Sequence, residues 1–171
     1  MTAIAKFLRV IDSVSDCTGR IVGWIAVPMI AALIYEVFAR YVFHRPTIWS
    51  YEITYMIYGT HFLLGAGYTL YAKGHIRIDL LYMKFPPRGR AFIDVVGYLI
   101  IFFPIMILMV FSSFDMAKDA YQIKEVSQFT PWQPVLWPFK SVICVGFLLL
   151  ILQGLAEFIR SVITLVRGEA P

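Results

Sequence analysis

This sequence predicts an all-α membrane protein of four transmembrane helices with both termini on the cytoplasmic side, and three observations predict it. Hydrophobic types make up 60% of the 171 residues, against roughly half in a soluble globular domain. Mean hydropathy is +0.74, and a soluble chain of this size has too much surface for its volume to hide so many apolar side chains in one core. The excess is gathered into four blocks, each near the ~20 residues that a helix needs to cross hydrocarbon. Finally, the basic residues stand in short clusters between the blocks. There they act as orientation signals rather than as a nucleic-acid footprint, despite a net charge of +4 and a pI near 9.1.

The whole chain, 1–171, reads as one membrane domain. Its first residues carry Lys6 and Arg9 but lack an uninterrupted apolar core followed by small residues, so they do not read as a cleaved signal peptide. Ile4, Phe7, Leu8, Ile11 and Val14 recur at helical spacing. They suit either an amphipathic helix over about 3–18 in the headgroup layer or an extension of the first span. That span covers about 21–39, with Pro28 as an expected kink. The second covers about 53–72 and is rich in tyrosine and glycine. Gly74 is suited to end it, and a short interfacial helix is expected over about 76–85, before Pro86-Pro87. The third covers about 91–112 with Pro104 inside it, its helix continuing past the lipid through Asp115, Lys118 and Asp119. The fourth covers about 135–156.

Orientation follows from the connections. The N-terminal tail, the second loop and the C-terminal tail hold ten Lys/Arg, and the first and third loops hold five. The richer side is expected to be cytoplasmic. Trp49, Trp132 and Trp137 then all fall at outer span ends, where indole rings favour the interface. Cys17 and Cys144 come out at opposite levels, which argues against a disulfide between them, and no C-x-x-C pair suggests thiol redox chemistry or zinc.

Charges near lipid need partners. Glu36 and Arg40 are four apart on one helical face and read as an ion pair; Glu157 and Arg160 make a similar pair. Glu52 follows Thr47 and Ser50, two candidate helix caps, where the helix dipole favours a carboxylate; Arg40 or Arg45 is also within reach. His61 aligns with Gly59, Gly65 and Thr69, a small and polar stripe suited to close helix packing or to a partner helix. Its functional alternative is a proton relay or a haem ligand, although no second deep histidine faces it. The densest polar cluster is Lys73-Gly74-His75-Ile76-Arg77-Ile78-Asp79. In it His75 and Asp79 sit one turn apart and Arg77 can reach lipid phosphates, or the basic groups simply snorkel. No nucleophile–base set, phosphate-cradling loop or paired broken helix is present. The residues therefore suggest no enzyme, no metal and no cofactor.

From Glu36 to Tyr82 the ordered elements are Arg40-Tyr41-Val42-Phe43, Trp49 with Glu52, Leu64-Gly65-Ala66, and Gly74-His75-Ile76-Arg77-Ile78-Asp79. Pro131-Trp132 and Trp137-Pro138 follow before the last span. This stretch resembles the small membrane subunit (DctQ-like) of tripartite ATP-independent periplasmic (TRAP) transporters. The resemblance implies a scaffold in a bacterial inner membrane beside a large, sodium-coupled, elevator-type subunit (DctM-like). A soluble periplasmic substrate-binding protein (DctP-like) would dock on the outer face, and the cargo would be a small organic acid such as a C4-dicarboxylate, a sialic acid or a 2-oxo acid. It further implies that Arg40, Trp49 and Glu52 shape the outer end and that His75, Arg77 and Asp79 fix the cytoplasmic end. Lys124, Glu125, Gln128 and Trp132 become the candidates for docking the binding protein. His44 and Arg45-Pro46, at a turn where small polar residues are more usual, depart from the pattern, as does His61. A four-helix b-type cytochrome using His61 and a homo-oligomeric channel are the rival readings.

Overall fold

The structure is a computed structural model, and it describes residues 3–74 and 85–167. Among the described residues there are five α-helices: α1 (Ala3–Tyr41), α2 (Ser50–Tyr71), α3 (Pro87–Gly97), α4 (Phe103–Gln122) and α5 (Trp137–Arg167). A five-residue π-helical turn, Tyr98–Phe102, joins α3 to α4 into one continuous rod. Among the described residues there is no strand, only an isolated bridge between Val126 and Val135.

Among the described residues, three helical stretches are long and apolar enough to cross a membrane: Ala3–Tyr41, Arg88–Gln122 and Trp137–Arg167. At 22 residues and 1.5 Å per residue, α2 has the length to do so. Its tyrosines, threonines, glutamate and histidine leave it below the hydropathy of the other three. Its position suits that composition, because α2 packs between α1 and α5, and Ser50, Glu52, His61 and Thr69 find hydrogen-bond partners inside the bundle. α5 is the central element and touches every other helix.

Residues 3–18 run without a break into residues 21–39 as a single 39-residue helix, with Pro28 inside it. The third span does deviate at its proline. Pro104 has no N–H to give the carbonyl four residues back, and Phe103 N–H reaches five residues back to Tyr98. One wide turn results. That turn swings Phe102 against α5, where a Cβ on Gly154 would lie 2.2 Å from the Phe102 ring. Gly146 admits α2 in the same way, with the Leu63 backbone 3.1 Å from where its Cβ would stand. Close helix approach of this kind is how membrane bundles gain packing without a hydrophobic driving force.

The end of α2 differs from expectation. Lys73, at φ 54°, is the left-handed residue that ends the helix, and Gly74 N–H bonds the Thr69 carbonyl at 2.8 Å. The expected interfacial helix at 76–85 lies almost wholly outside the described residues.

Candidate functional site

At the end of α1, Glu36 gathers the α1–α2 turn. Its Oε1 accepts from Arg40 Nε (2.9 Å) and Nη2 (2.5 Å). Its Oε2 accepts from the Thr47 backbone N–H (3.0 Å) and hydroxyl (2.5 Å). The expected Glu36–Arg40 pair is thus present, and it also holds the start of α2. Thr47 Oγ1 accepts from Ser50 N–H at 3.3 Å, although Trp49 is the capping position. Ser50 Oγ donates back to the Ala32 carbonyl, and the Trp49 ring stacks on Tyr35 at 5.7 Å between centroids. Between α1 and α2 a cleft of about 300 Å3 opens beside this network, lined by Leu33, Glu36, Arg40, Thr54 and Tyr58 among others.

Glu52 takes neither of the arginine partners expected for it. It is fully buried, and its Oε1 accepts from Ser127 Oγ (2.5 Å) and Thr130 Oγ1 (3.2 Å). Seventy-five residues of chain separate Glu52 from Ser127, and sequence spacing carries no signal of such a contact. The carboxylate therefore anchors the long loop between α4 and α5 to the start of α2. Its Oε2 has no partner among the described residues; loss of Oε1 would leave the Ser127 and Thr130 hydroxyls without their acceptor, which makes the anchor expensive to disturb. Glu52→Ala is expected to lower stability by about 1–3 kcal/mol and to raise hydrogen exchange selectively in 123–136. Glu52→Gln, which keeps an acceptor for both hydroxyls, should do neither.

Three further contacts stiffen the same loop. Glu125 Oε2 pairs with Lys140 Nζ at 2.5 Å. Ser127 N–H bonds the Pro134 carbonyl at 2.9 Å, and Leu136 N–H bonds the Glu125 carbonyl at 3.0 Å. Lys124 and Gln133 adopt left-handed backbone angles at the two bends. Of the four sequence candidates for docking, Lys124, Gln128 and Trp132 are exposed, whereas Glu125 is half-buried and engaged with Lys140. Ile123 and Phe129, missed in the sequence, are 71% and 74% exposed at the loop's surface. Both side chains stand out from a loop that the contacts above hold in place.

The small stripe of α2 turns inward. Gly59 faces the Phe139 ring, with only 2.7 Å from a Cβ there to Cζ, and Gly65 looks onto Val22. Thr69 Oγ1 donates to the Gly65 carbonyl at 3.0 Å. His61 Nδ1 lies 2.9 Å from the Val22 carbonyl oxygen, a bond in which the ring N–H donates. Among the described residues the other histidine is His44, exposed in the α1–α2 turn, so no axial pair forms with His61. His75, Arg77 and Asp79 lie outside the described residues. No group of three or more potential metal ligands gathers among the described residues.

The opposite end of the bundle, where α1 begins and α5 finishes, is tied by Arg160. It reaches Asp12 Oδ2 with Nη2 (2.5 Å) and Glu157 Oε1 with Nη1. Gln153 donates to Asp12 Oδ1 at 3.3 Å and accepts from Ser15 Oγ at 2.7 Å. The Glu157–Arg160 pair was legible in the sequence; its extension to Asp12 was not.

Residues 29–164 match the sequence profile of the tripartite ATP-independent periplasmic transporters, DctQ component. The chain is also 28% identical over 89 residues to the sialic acid TRAP transporter permease protein SiaT of Haemophilus influenzae (strain 86-028NP). That match takes in 52% of this chain and 14% of the length of the larger protein. With three helices able to cross a membrane, a braced loop at one end and a match over most of its length, this multi-pass membrane protein belongs to the DctQ component family of the TRAP transporters.

Proposed function

We propose that this chain is the small permease subunit of a TRAP transporter in a bacterial inner membrane. All four apolar blocks cross the bilayer in this reading, with both termini in the cytoplasm. It serves as a fixed scaffold for a large sodium-coupled subunit, and its α4–α5 loop contributes to the docking surface for a periplasmic substrate-binding protein. The cargo is a small organic acid, the class that includes the sialic acid named for the Haemophilus relative.

The observation that carries this reading is the braced loop, anchored by the buried Glu52 and presenting Ile123, Phe129 and Trp132. Exposed apolar groups on a loop secured by a buried carboxylate suit a surface that meets another protein. α1 and α5 lie with their ends together at the opposite end of the bundle, in keeping with the excess of Lys and Arg expected on the cytoplasmic side.

Two measurements test it. The tagged chain, expressed with its neighbouring genes, should co-purify in mild detergent with a polytopic subunit at equal stoichiometry; recovery of the lone chain would remove the scaffold reading. Phe129→Ser with Ile123→Ser should weaken capture of the binding protein by at least about tenfold, the loss expected when a hot-spot residue is truncated. Unchanged capture and transport would remove the docking role. Glu125 is a poorer probe than the other candidates, because its reversal also breaks the bond to Lys140.

A further inference from the structure

The two faces at the start of α1 have different surroundings. Leu8, Ile11 and Ser15 are buried, with Leu8 and Ile11 packed beside Ala156 and Ile159 of α5 and Ser15 bonded to Gln153. Phe7, Val10 and Val14 are exposed, and two grooves meet at Val10 and Val14. The larger, about 640 Å3, is a shallow, open one along α1 itself, lined by Lys6, Arg9, Val10, Ser13, Val14, Cys17 and Thr18. The smaller, about 220 Å3, lies between α1 and α5, where Leu149 and Leu152 face Phe7, Val10 and Val14. Val10 and Val14 belong to both grooves, so the two run along either side of one apolar ridge.

Charge on this segment is equally divided. Its two acidic residues are engaged, Asp12 with Arg160 and Gln153, and Asp16 with Arg20 at 2.9 Å. Lys6 and Arg9 are exposed and make no ion pair among the described residues. They stand one to two turns beyond Asp12, which is level with Arg160, just past the point where the apolar run of α5 ends at Ala156. If the hydrocarbon boundary lies where that apolar run stops, they stand at headgroup depth, and the ridge from Val10 to Cys17 runs from there towards the acyl region.

We propose that this ridge holds an anionic phospholipid, its phosphate between Lys6 and Arg9 and its acyl chains in the grooves beside Val10 and Val14. Two uncompensated cations at the mouth of an apolar trough complement one molecule that is negative at its head and apolar along its length. A free phosphate would satisfy the cations and leave the trough uncovered. The inference needs only the membrane character of the chain and is independent of its place in a transporter.

Native mass spectrometry of the intact chain in mild detergent tests this, with equal amounts of phosphatidylglycerol and phosphatidylcholine bearing the same acyl chains. Two basic side chains near an anionic group should favour phosphatidylglycerol by about thirtyfold. The preference should vanish in Lys6→Gln/Arg9→Gln, whose positions are exposed and whose fold should be intact, whereas Val10→Ser/Val14→Ser should weaken both lipids alike. Cys17 supplies a second readout, since it is exposed at the ridge while Cys144 is buried. Its alkylation by a maleimide should slow with phosphatidylglycerol but not with phosphatidylcholine or inorganic phosphate. Equal retention of the two lipids, or a preference that survives the double substitution, would overturn the proposal. Protection of Cys17 by inorganic phosphate alone would make this an anion site, and protection that requires a bound protein subunit rather than lipid would make it a protein interface; either result also overturns it.

Discussion

Replacing Arg160 with alanine is expected to destabilise the folded chain by about 2–4 kcal/mol, read as a lowered unfolding midpoint in a fixed detergent. Arg160 is the cation between Asp12 and Glu157. Its loss leaves two carboxylates facing each other between α1 and α5, with only Gln153 still bonded to one of them. Breaking a buried pair by removing one partner costs roughly 3–5 kcal/mol. The expected value is lower because the Arg160 side chain keeps 26% of its surface exposed and Asp12 keeps 22%. Neutralising the network as a whole, with Arg160→Met, Asp12→Asn and Glu157→Gln together, should recover most of the loss. If the single substitution were neutral, the network would be a surface pair of little weight, and α1 would be held to α5 by the packing of Leu8 and Ile11 and by the Gln153 hydrogen bonds.

Gly19→Leu is expected to cost about 3 kcal/mol, while Gly23→Leu, one turn further along the same helix, should be neutral or slightly stabilising. At Gly19 a Cβ would lie 2.2 Å from Tyr68 Cγ and 2.6 Å from Tyr68 Cβ. Tyr68 Cβ is set by its backbone, so rotating the ring does not clear the clash and the α1–α2 crossing must open. Overpacking of this kind costs ~1–3 kcal/mol. Around Gly23 nothing lies within 4 Å, and exchanging glycine for leucine inside a helix gains up to about 1 kcal/mol in propensity. Thermal unfolding of both variants decides the matter, and Tyr68→Ala should restore part of the Gly19→Leu loss through a coupling confined to that pair. Equal behaviour of the two glycine variants would show that α1 and α2 do not cross at Gly19.

The features that were legible in the sequence are those written in neighbouring residues. The apolar blocks at about 21–39 and 91–112 lie within two of the three described helices able to cross a membrane, and that at about 135–156 falls in the third except for its first two residues, because hydropathy over twenty residues is a local sum. Glu36–Arg40 and Glu157–Arg160 were readable for the same reason, since helical geometry brings residues three and four apart together. Glu52 was misjudged. Its helix-start position and nearby arginines suggested a local partner, and its actual partners are hydroxyls on a loop brought over it by α5. The stripe at Gly59, His61, Gly65 and Thr69 was recognisable as a packing face, but not what it packs against.

By itself, the sequence determined that the chain is helical and membrane-embedded, and how its elements follow one another. Those properties come from side-chain transfer into lipid and from backbone periodicity, both of which act along the chain. Only the tertiary structure decided that α5 is central, that α1 is a single helix fastened through Asp12 and Arg160, and that Glu52 braces the loop bearing Ile123 and Phe129. These contacts join residues 75 to 148 positions apart. Hydrogen bonding and close packing act over a few ångströms of space, so which distant groups they join is set only once the helices have assembled.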